Sequence, residues 1–156
     1  MIEVNAATEI DASAEAVWSV LTDLKKFHIW NPFIRDASGT TEVGGTIRVR
    51  VWPSLGVPLV FQATVLDRED GRALRWRGHV LAPWLASGDH SFTIEPIGDH
   101  RVRFTQHETF SGVLPWLAAR LLVRETRRGF DAMNHALEAR AHDQEAGREP
   151  QNEAPQ

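Results

Sequence analysis

One long segment with apolar residues at helical spacing constrains the fold more than any other feature of this chain. Pro115 suits the first turn of a helix, where its missing N–H needs no partner, and the pattern runs to about Ala141. The residues that share one side of this helix are Trp116, Ala119, Val123, Thr126, Phe130, Met133 and Leu137. Such a helix is about 38 Å long. A second layer must cover its apolar side.

Strand-like segments precede the helix and are the natural source of that layer. Apolar and polar residues alternate along seven segments, at 1–10, 33–38, 46–52, 59–68, 73–81, 87–96 and 101–111. Short turns join the last six, so neighbouring strands are predicted to pair antiparallel. Ser13 is placed to cap a helix after the first strand, and Pro32 ends a second short helical segment. The sequence therefore predicts an α+β fold with two short helices between strands 1 and 2.

Composition excludes several classes of protein. The chain of 156 residues fits one domain, and its net charge of -4 argues against electrostatic binding to nucleic acid. The absence of cysteine excludes disulfides, zinc-thiolate sites and thiol nucleophiles. No targeting signal precedes the first strand, and no apolar run approaches the roughly 20 residues needed to span a bilayer, so a cytoplasmic protein is expected. The domain is predicted to cover 1–142, followed by a disordered polar tail at 143–156.

Polar residues interrupt the apolar face of the predicted sheet. His90, Gln106 and Glu108 fall on that face, where a buried carboxylate needs a partner. The opposite face carries Arg48, Arg50, Arg75, Arg77, Arg101 and Arg103. We expect these arginines to pair with acidic side chains across strands rather than to form a patch for an anionic partner.

Three short motifs carry a resemblance to a known family. The segment from Ile10 to Phe33, with Val17-Trp18, Leu21-Thr22-Asp23 and Trp30-Asn31-Pro32, resembles the opening of START-like helix-grip proteins of the polyketide cyclase/dehydrase and lipid-transport family, often labelled SRPBCC. The stretches Gln106-x-Glu108-x-Phe110-x-Gly112 and Phe130-x-x-Met133-Asn134-x-x-Leu137 are similar to that family's last strand and last helix.

The resemblance covers about 1–142 and implies a curved seven-stranded antiparallel sheet that grips the long helix around an internal cavity. The family includes lipid carriers, ring-closing enzymes, hydratases, hormone receptors and chaperone activators. Fold alone does not choose among these activities.

A cavity between sheet and helix is predicted to hold the ligand. The residues expected to line it are Phe61, Trp76, His90, Phe92, Phe104, Gln106, Glu108, Phe110, Arg120, Val123, Arg127 and Asn134. Aromatic walls of this kind favour a flat or chain-like apolar molecule with one or two polar groups. The alternative is that the aromatic side chains close the core completely, which leaves no pocket.

Loops at one end of the predicted sheet are unusually apolar. Because alternate connections of a meander emerge together, the loops 53–58, 82–86 and 112–115 should gather at this end, here called the loop end. The residues predicted at a cavity mouth there are Trp30, Leu55, Trp84, Leu114 and Trp116. A mouth, a homodimer contact, a membrane-docking rim and a closed cap are the four interpretations of this surface.

Signals for chemistry are few. No phosphate-binding loop, nucleophile elbow, paired-carboxylate motif or metal-ligand spacing is present, so no cofactor, metal site or catalytic residue is predicted. The leading hypothesis is binding or transport of a small hydrophobic ligand, of lipid or polyketide type. The alternatives are a cyclase, dehydratase or hydratase that uses His90 and Glu108, and a protein-interaction module that uses the loop end.

Overall fold

The fold is built from one antiparallel sheet and four helices, as seen in a computed structural model that describes residues 1–147. The strands are β1 (Ile2–Ile10), β2 (Ile34–Gly39), β3 (Thr46–Val51), β4 (Leu59–Glu69), β5 (Ala73–His79), β6 (Ser87–Gly98) and β7 (Arg101–Ser111). The helices are α1 (Ala14–Thr22), α2 (Phe27–Trp30), α3 (Val113–Leu117) and α4 (Ala119–Ala146). No helix within these residues is long and apolar enough to cross a bilayer.

Short turns order the sheet as β1-β7-β6-β5-β4-β3-β2. A hairpin joins each strand from β2 onward to the next, up to β7. Strand β1 pairs with the other side of β7, with Ile2 opposite Phe110. Register shifts between Val65 and Asp67 in β4 and between Pro96 and Gly98 in β6 bend the strands. The predicted α+β helix-grip arrangement, with a curved seven-stranded sheet around a long C-terminal helix, is confirmed.

Helix α4 presents one buried side to the concave face of the sheet. Its buried apolar residues are Phe130, Met133, Leu137 and Ala141, at the helical spacing that the sequence predicts. Burial of Phe130, Met133 and Leu137 stabilises the fold by about 1.5–3 kcal/mol for each side chain. This contact fixes the position of the N-terminal part of α4, beside which the site described below lies.

The predicted single helix is two helices in the structure. The chain leaves helical geometry at Ala118, where φ is −110° and ψ is 21°. Backbone bonds explain the break, because Leu114 N–H donates to the Leu85 carbonyl at 3.1 Å and so holds α3 against the β5–β6 loop. Trp116 is 74% exposed, so the prediction that it belongs to the buried side of the helix was wrong.

The C-terminal end of α4 extends past the predicted domain boundary. The tail was predicted to begin at residue 143, but α4 continues to Ala146. Contacts with α1 explain the extension, since Gln144 donates to Ser19 Oγ at 3.0 Å and the Ser13 N–H donates to Glu145 Oε1 at 2.7 Å. The remainder of the predicted tail, 148–156, lies outside the described residues.

The outer face of the sheet carries ion pairs, as the sequence predicts. Arg75 and Arg77 both donate to Asp89 on the neighbouring strand. The hydrogen bond from Arg75 lowers the pKa of Asp89, burial opposes the shift, and Arg77 reinforces it. Arg101 and Arg103 likewise pair with Glu9. These four arginines therefore have acidic partners within the sheet, whereas Arg48 and Arg50, which were also predicted to pair, form no ion pair with the described residues.

Candidate functional site

A pocket of about 320 Å³ lies between the concave face of the sheet and the N-terminal part of α4. Its apolar wall includes Phe33, Ile34, Val49, Val51, Leu59, Phe61, Trp76, Val80, Phe110, Leu114, Pro115, Leu122 and Phe130. Its polar side chains are His79, Ser87, His90, Glu108, Glu125 and Thr126. The pocket is thus a mostly apolar space with a few polar groups, which is typical of small-molecule sites.

Two glycines in strand interiors shape the wall of this pocket. Gly78 on β5 pairs directly with Gly88 on β6. A Cβ at Gly78 would lie 2.7 Å from the Phe61 ring, and one at Gly88 would collide with the Glu108 carboxylate. The Phe61 ring therefore packs directly on the backbone of Gly78, and the Glu108 carboxylate on that of Gly88. A side chain at either glycine would displace its neighbour.

A chain of buried polar side chains runs from the pocket into the core. The strand register places His90 opposite Glu108, and His90 Nδ1 lies 2.9 Å from Glu108 Oε2. His90 Nε2 lies 3.2 Å from Gln106 Oε1, and Gln106 Nε2 donates to Asn134 Oδ1 on α4 at 2.7 Å. Glu108 and His90 reach the pocket, and Gln106 connects them to Asn134 on α4.

Hydrogen-bond partners fix where the protons of this chain lie. Gln106 Nε2 faces two acceptors, Asn134 Oδ1 and the Phe130 carbonyl, so Gln106 Oε1 must face His90. His90 Nε2 then carries a hydrogen. A hydrogen bond between His90 Nδ1 and Glu108 Oε2, which are 2.9 Å apart, needs one further proton on one of the two groups. This contact lies beside the pocket.

Aromatic rings hold the imidazole of His90 in place. The Phe92 ring stacks on it at a centroid distance of 4.2 Å, and the Phe130 ring lies 4.9 Å away on α4. Trp76 meets it edge to face at 5.6 Å. Because these neighbours leave the ring little freedom, the Nδ1 atom stays directed at Glu108.

A second carboxylate lies at the loop end of the pocket. Glu125 on α4 is buried and accepts a hydrogen bond from Ser54 Oγ, together with bonds from Arg124 at 3.3 Å and Arg128 at 3.4 Å. The bond from Ser54 lowers the pKa of Glu125, burial opposes the shift, and Arg124 and Arg128 add to it. Glu125 is thus held ionised and ties the β3–β4 loop to α4.

Predicted cavity residues divide into three groups. The structure brings Phe61, Trp76, His90, Glu108 and Phe110 to the pocket wall. Phe92, Phe104, Gln106 and Asn134 are buried behind that wall. Arg120 and Arg127 are exposed and Val123 is half-buried, all three away from the wall. The rotation of α4 is the physical reason, because it turns Glu125, Thr126 and Phe130 inward.

Predicted mouth residues are also divided. Leu114 lines the pocket, whereas Leu55, Trp84 and Trp116 lie beyond its wall and are 57%, 71% and 74% exposed. Trp30 was predicted beside them, but it lines a separate cleft between α1 and α4. The loops do gather as predicted, since the β5–β6 loop bonds to the start of α3 and the β3–β4 loop bonds to α4.

Several residues of the site were missed by sequence reasoning. Gly78 and Gly88 carried a usable signal, because a glycine inside a strand often marks the close approach of another group. Glu125 directly precedes Thr126, a residue of the predicted buried side, but an acidic residue at the edge of an apolar stripe is usually solvated. Within residues 1–147, no three His, Asp or Glu side chains come together as a metal site would need.

Comparisons with known proteins agree with this architecture. A family described as polyketide cyclase / dehydrase and lipid transport matches residues 1–142. A START superfamily protein from Mycobacterium smegmatis superposes with a TM-score of 0.75 at 19% identity, covering 91% of this chain and 98% of that one. The Zhui aromatase/cyclase from Streptomyces sp. R1128 superposes with a TM-score of 0.76 at 18% identity, covering 91% and 94%.

A two-domain relative extends the comparison. The di-domain ARO/CYC BexL from the BE-7585A biosynthetic pathway matches with a TM-score of 0.69 at 16% identity, covering 88% of this chain and 47% of that one. None of the curated proteins compared with the chain matches it significantly. At these identities the solved structures establish a shared fold.

Proposed function

The chain belongs to the polyketide cyclase / dehydrase and lipid transport family, and from this premise we propose that it binds a small hydrophobic molecule in the pocket between the sheet and α4. The observation that carries the proposal is the pocket itself, about 320 Å³ with aromatic and aliphatic walls. A space of this size and polarity suits a flat or chain-like apolar ligand.

The energetics of the pocket support an occupant. A closed void of 320 Å³ would cost about 8 kcal/mol at about 24 cal/mol per Å³, similar to the whole free energy of unfolding of an ordinary domain, about 5–15 kcal/mol. Because this pocket is open to solvent, water or a ligand fills it instead. Water fills such a space poorly, because each buried water needs two to four polar partners and the wall offers few. An apolar ligand displaces that water and contacts the aromatic wall instead.

Filling part of the pocket should weaken binding. Ala86 lines the pocket beside the β5–β6 loop, and Ala86→Phe places a ring in the space that the ligand needs. We expect the affinity for the neutral fluorescent probe N-phenyl-1-naphthylamine to fall at least about tenfold, since the lost contact area corresponds to more than about 1.4 kcal/mol. Probe fluorescence measures the affinity.

The matched control for this experiment is Ala132→Phe, which adds the same ring on the exposed side of α4. It should leave probe affinity unchanged. Equal affinity of both variants and the parent protein would show that the probe binds elsewhere. Native mass spectrometry of protein purified from its own host then identifies any ligand that co-purifies.

A second candidate function is acid–base catalysis, favoured by the 2.9 Å contact between His90 and Glu108 at the pocket. A proton shared by an imidazole and a carboxyl group is available for transfer to or from a bound molecule. Aromatase/cyclase structures are among those to which the chain is similar. The reaction class is a cyclisation, dehydration or hydration, each of which needs proton transfer at a carbonyl or hydroxyl group.

The catalytic proposal is tested with Glu108→Gln. The amide keeps the size of the side chain but cannot act as an acid or a base. We expect the protein to accelerate deuterium exchange into the methyl group of acetophenone, and the variant to lose about 100-fold of that acceleration, the usual contribution of a general acid or base. Proton NMR follows the exchange. If the parent protein gives only the buffer rate, the pocket binds without catalysing.

A further inference from the structure

The polar groups of the pocket differ in whether they are already satisfied. Glu125 at the loop end accepts bonds at both oxygens, from Ser54 at Oε2 and from Arg124 and Arg128 at Oε1. Glu108 has its polar contact at Oε2, which lies 2.9 Å from His90 Nδ1. Its Oε1 lies over Gly88, where no hydrogen-bond donor of the described residues reaches it. Of the two carboxylates of the pocket, Glu108 is therefore the one with an open acceptor position, at Oε1.

The pocket has no permanently charged cation to receive an anionic ligand, and its two imidazole side chains are His79 and His90, of which His90 is directed at Glu108. No lysine or arginine is among the residues that line it. Arg124 and Arg128 are close to Glu125, but both are more than half exposed and bond to that carboxylate from outside the wall. A ligand carboxylate at the inner end would give up its hydration, gain no opposite charge and face the Glu108 oxygen. Burying an unpaired charge in this way is strongly unfavourable.

Given the binding function proposed above, on which this inference rests, we propose that the pocket selects neutral ligands that carry a hydroxyl or N–H donor, and rejects the corresponding carboxylates. The donor of the ligand bonds to Glu108 Oε1, while the remainder of the molecule lies against Phe61, Trp76 and Phe110. Fatty acids and aryl carboxylates are excluded as ligands. Phenols, alcohols and amides of matching shape are included.

A series of three molecules with one skeleton tests the selection. At pH 7, 2-naphthol is a neutral donor, 2-naphthoate is an anion, and 2-methylnaphthalene has no polar group. We expect 2-naphthol to bind the unmodified protein at least about tenfold more tightly than 2-methylnaphthalene, as a hydrogen bond to a carboxylate provides. The affinity for 2-naphthoate should be lower than that for 2-methylnaphthalene. Equilibrium dialysis of all three compounds measures these ratios.

Two substitutions at one position assign the selection to Glu108. In Glu108→Gln the amide nitrogen can donate to His90 Nδ1, which leaves the amide oxygen facing the pocket as an acceptor. This variant should keep the preference for 2-naphthol over 2-methylnaphthalene. Glu108→Leu offers no acceptor and should lose the preference while still binding 2-methylnaphthalene. Thermal unfolding of each variant confirms that it is folded.

The outcomes separate the two proposals. If none of the three compounds binds, the binding function fails and this inference fails with it. If they bind but 2-naphthoate equals or exceeds 2-naphthol, the binding function stands and the selection is overturned. Retention of the 2-naphthol preference by a folded Glu108→Leu variant also overturns the assignment to Glu108.

Discussion

Replacing Phe130 by alanine is expected to lower the free energy of unfolding by about 4 kcal/mol. The side chain is 1% exposed, and its ring meets Phe33 edge to face at 6.0 Å and lies 4.9 Å from the ring of His90. Truncation removes these contacts and leaves a void that joins the pocket. Urea unfolding monitored by circular dichroism gives the change.

Phe110 provides the matched control for this prediction. It lies on the wall of the same pocket but is only half-buried. Phe110→Ala should therefore cost about half as much, near 2 kcal/mol, because less area returns to water and the pocket is already open there. Equal costs for the two alanine variants would contradict the placement of Phe130 in the packed core.

Replacing His90 by leucine is expected to cost about 3 kcal/mol of stability. Leucine keeps most of the apolar contacts with the surrounding rings but donates no hydrogen bond. Glu108 Oε2 and Gln106 Oε1 would each lose a donor in a buried setting. A polar group left buried without its partner costs more than the pair contributed, and this asymmetry gives the large effect.

A double variant separates loss of the pair from loss of packing. Glu108→Leu added to His90→Leu removes the unpaired carboxyl group, so the double variant should be about 2 kcal/mol more stable than the sum of the two single changes predicts. Additive costs, measured by urea unfolding of all four proteins, would show that His90 and Glu108 act independently. The predicted coupling would then be wrong.

Alternation along the strands made much of the site predictable. A period of two assigns a side chain to one face of a sheet, so His90, Gln106 and Glu108 could be placed on the concave face from sequence alone. The structure then shows His90 directly opposite Glu108. Alternation does not give depth along a strand. For that reason Phe92 and Phe104 were expected on the pocket wall, although both are buried behind it.

Tertiary contacts determine two features of the site that periodicity does not predict. Helical spacing identified the buried side of α4 at Phe130, Met133 and Leu137. It did not predict the break at Ala118, because that break depends on a hydrogen bond to the carbonyl of Leu85, in a loop more than 25 residues earlier. The buried position of Glu125 likewise involves a hydrogen bond from Ser54 on another loop. Long-range bonds of this kind have no signature in a local pattern.

The pairing of β1 with β7 also constrains how the nascent chain can fold. Ile2 is opposite Phe110, and the Ser13 N–H donates to Glu145, 132 residues away. During translation the first strand leaves the ribosome well before either partner exists, while the hairpins from β2 to β7 can form as they emerge. Closing such distant contacts slows folding. The N-terminal strand can therefore take its place only once β7 has been made, and until the two strands pair β7 presents an open edge to other chains.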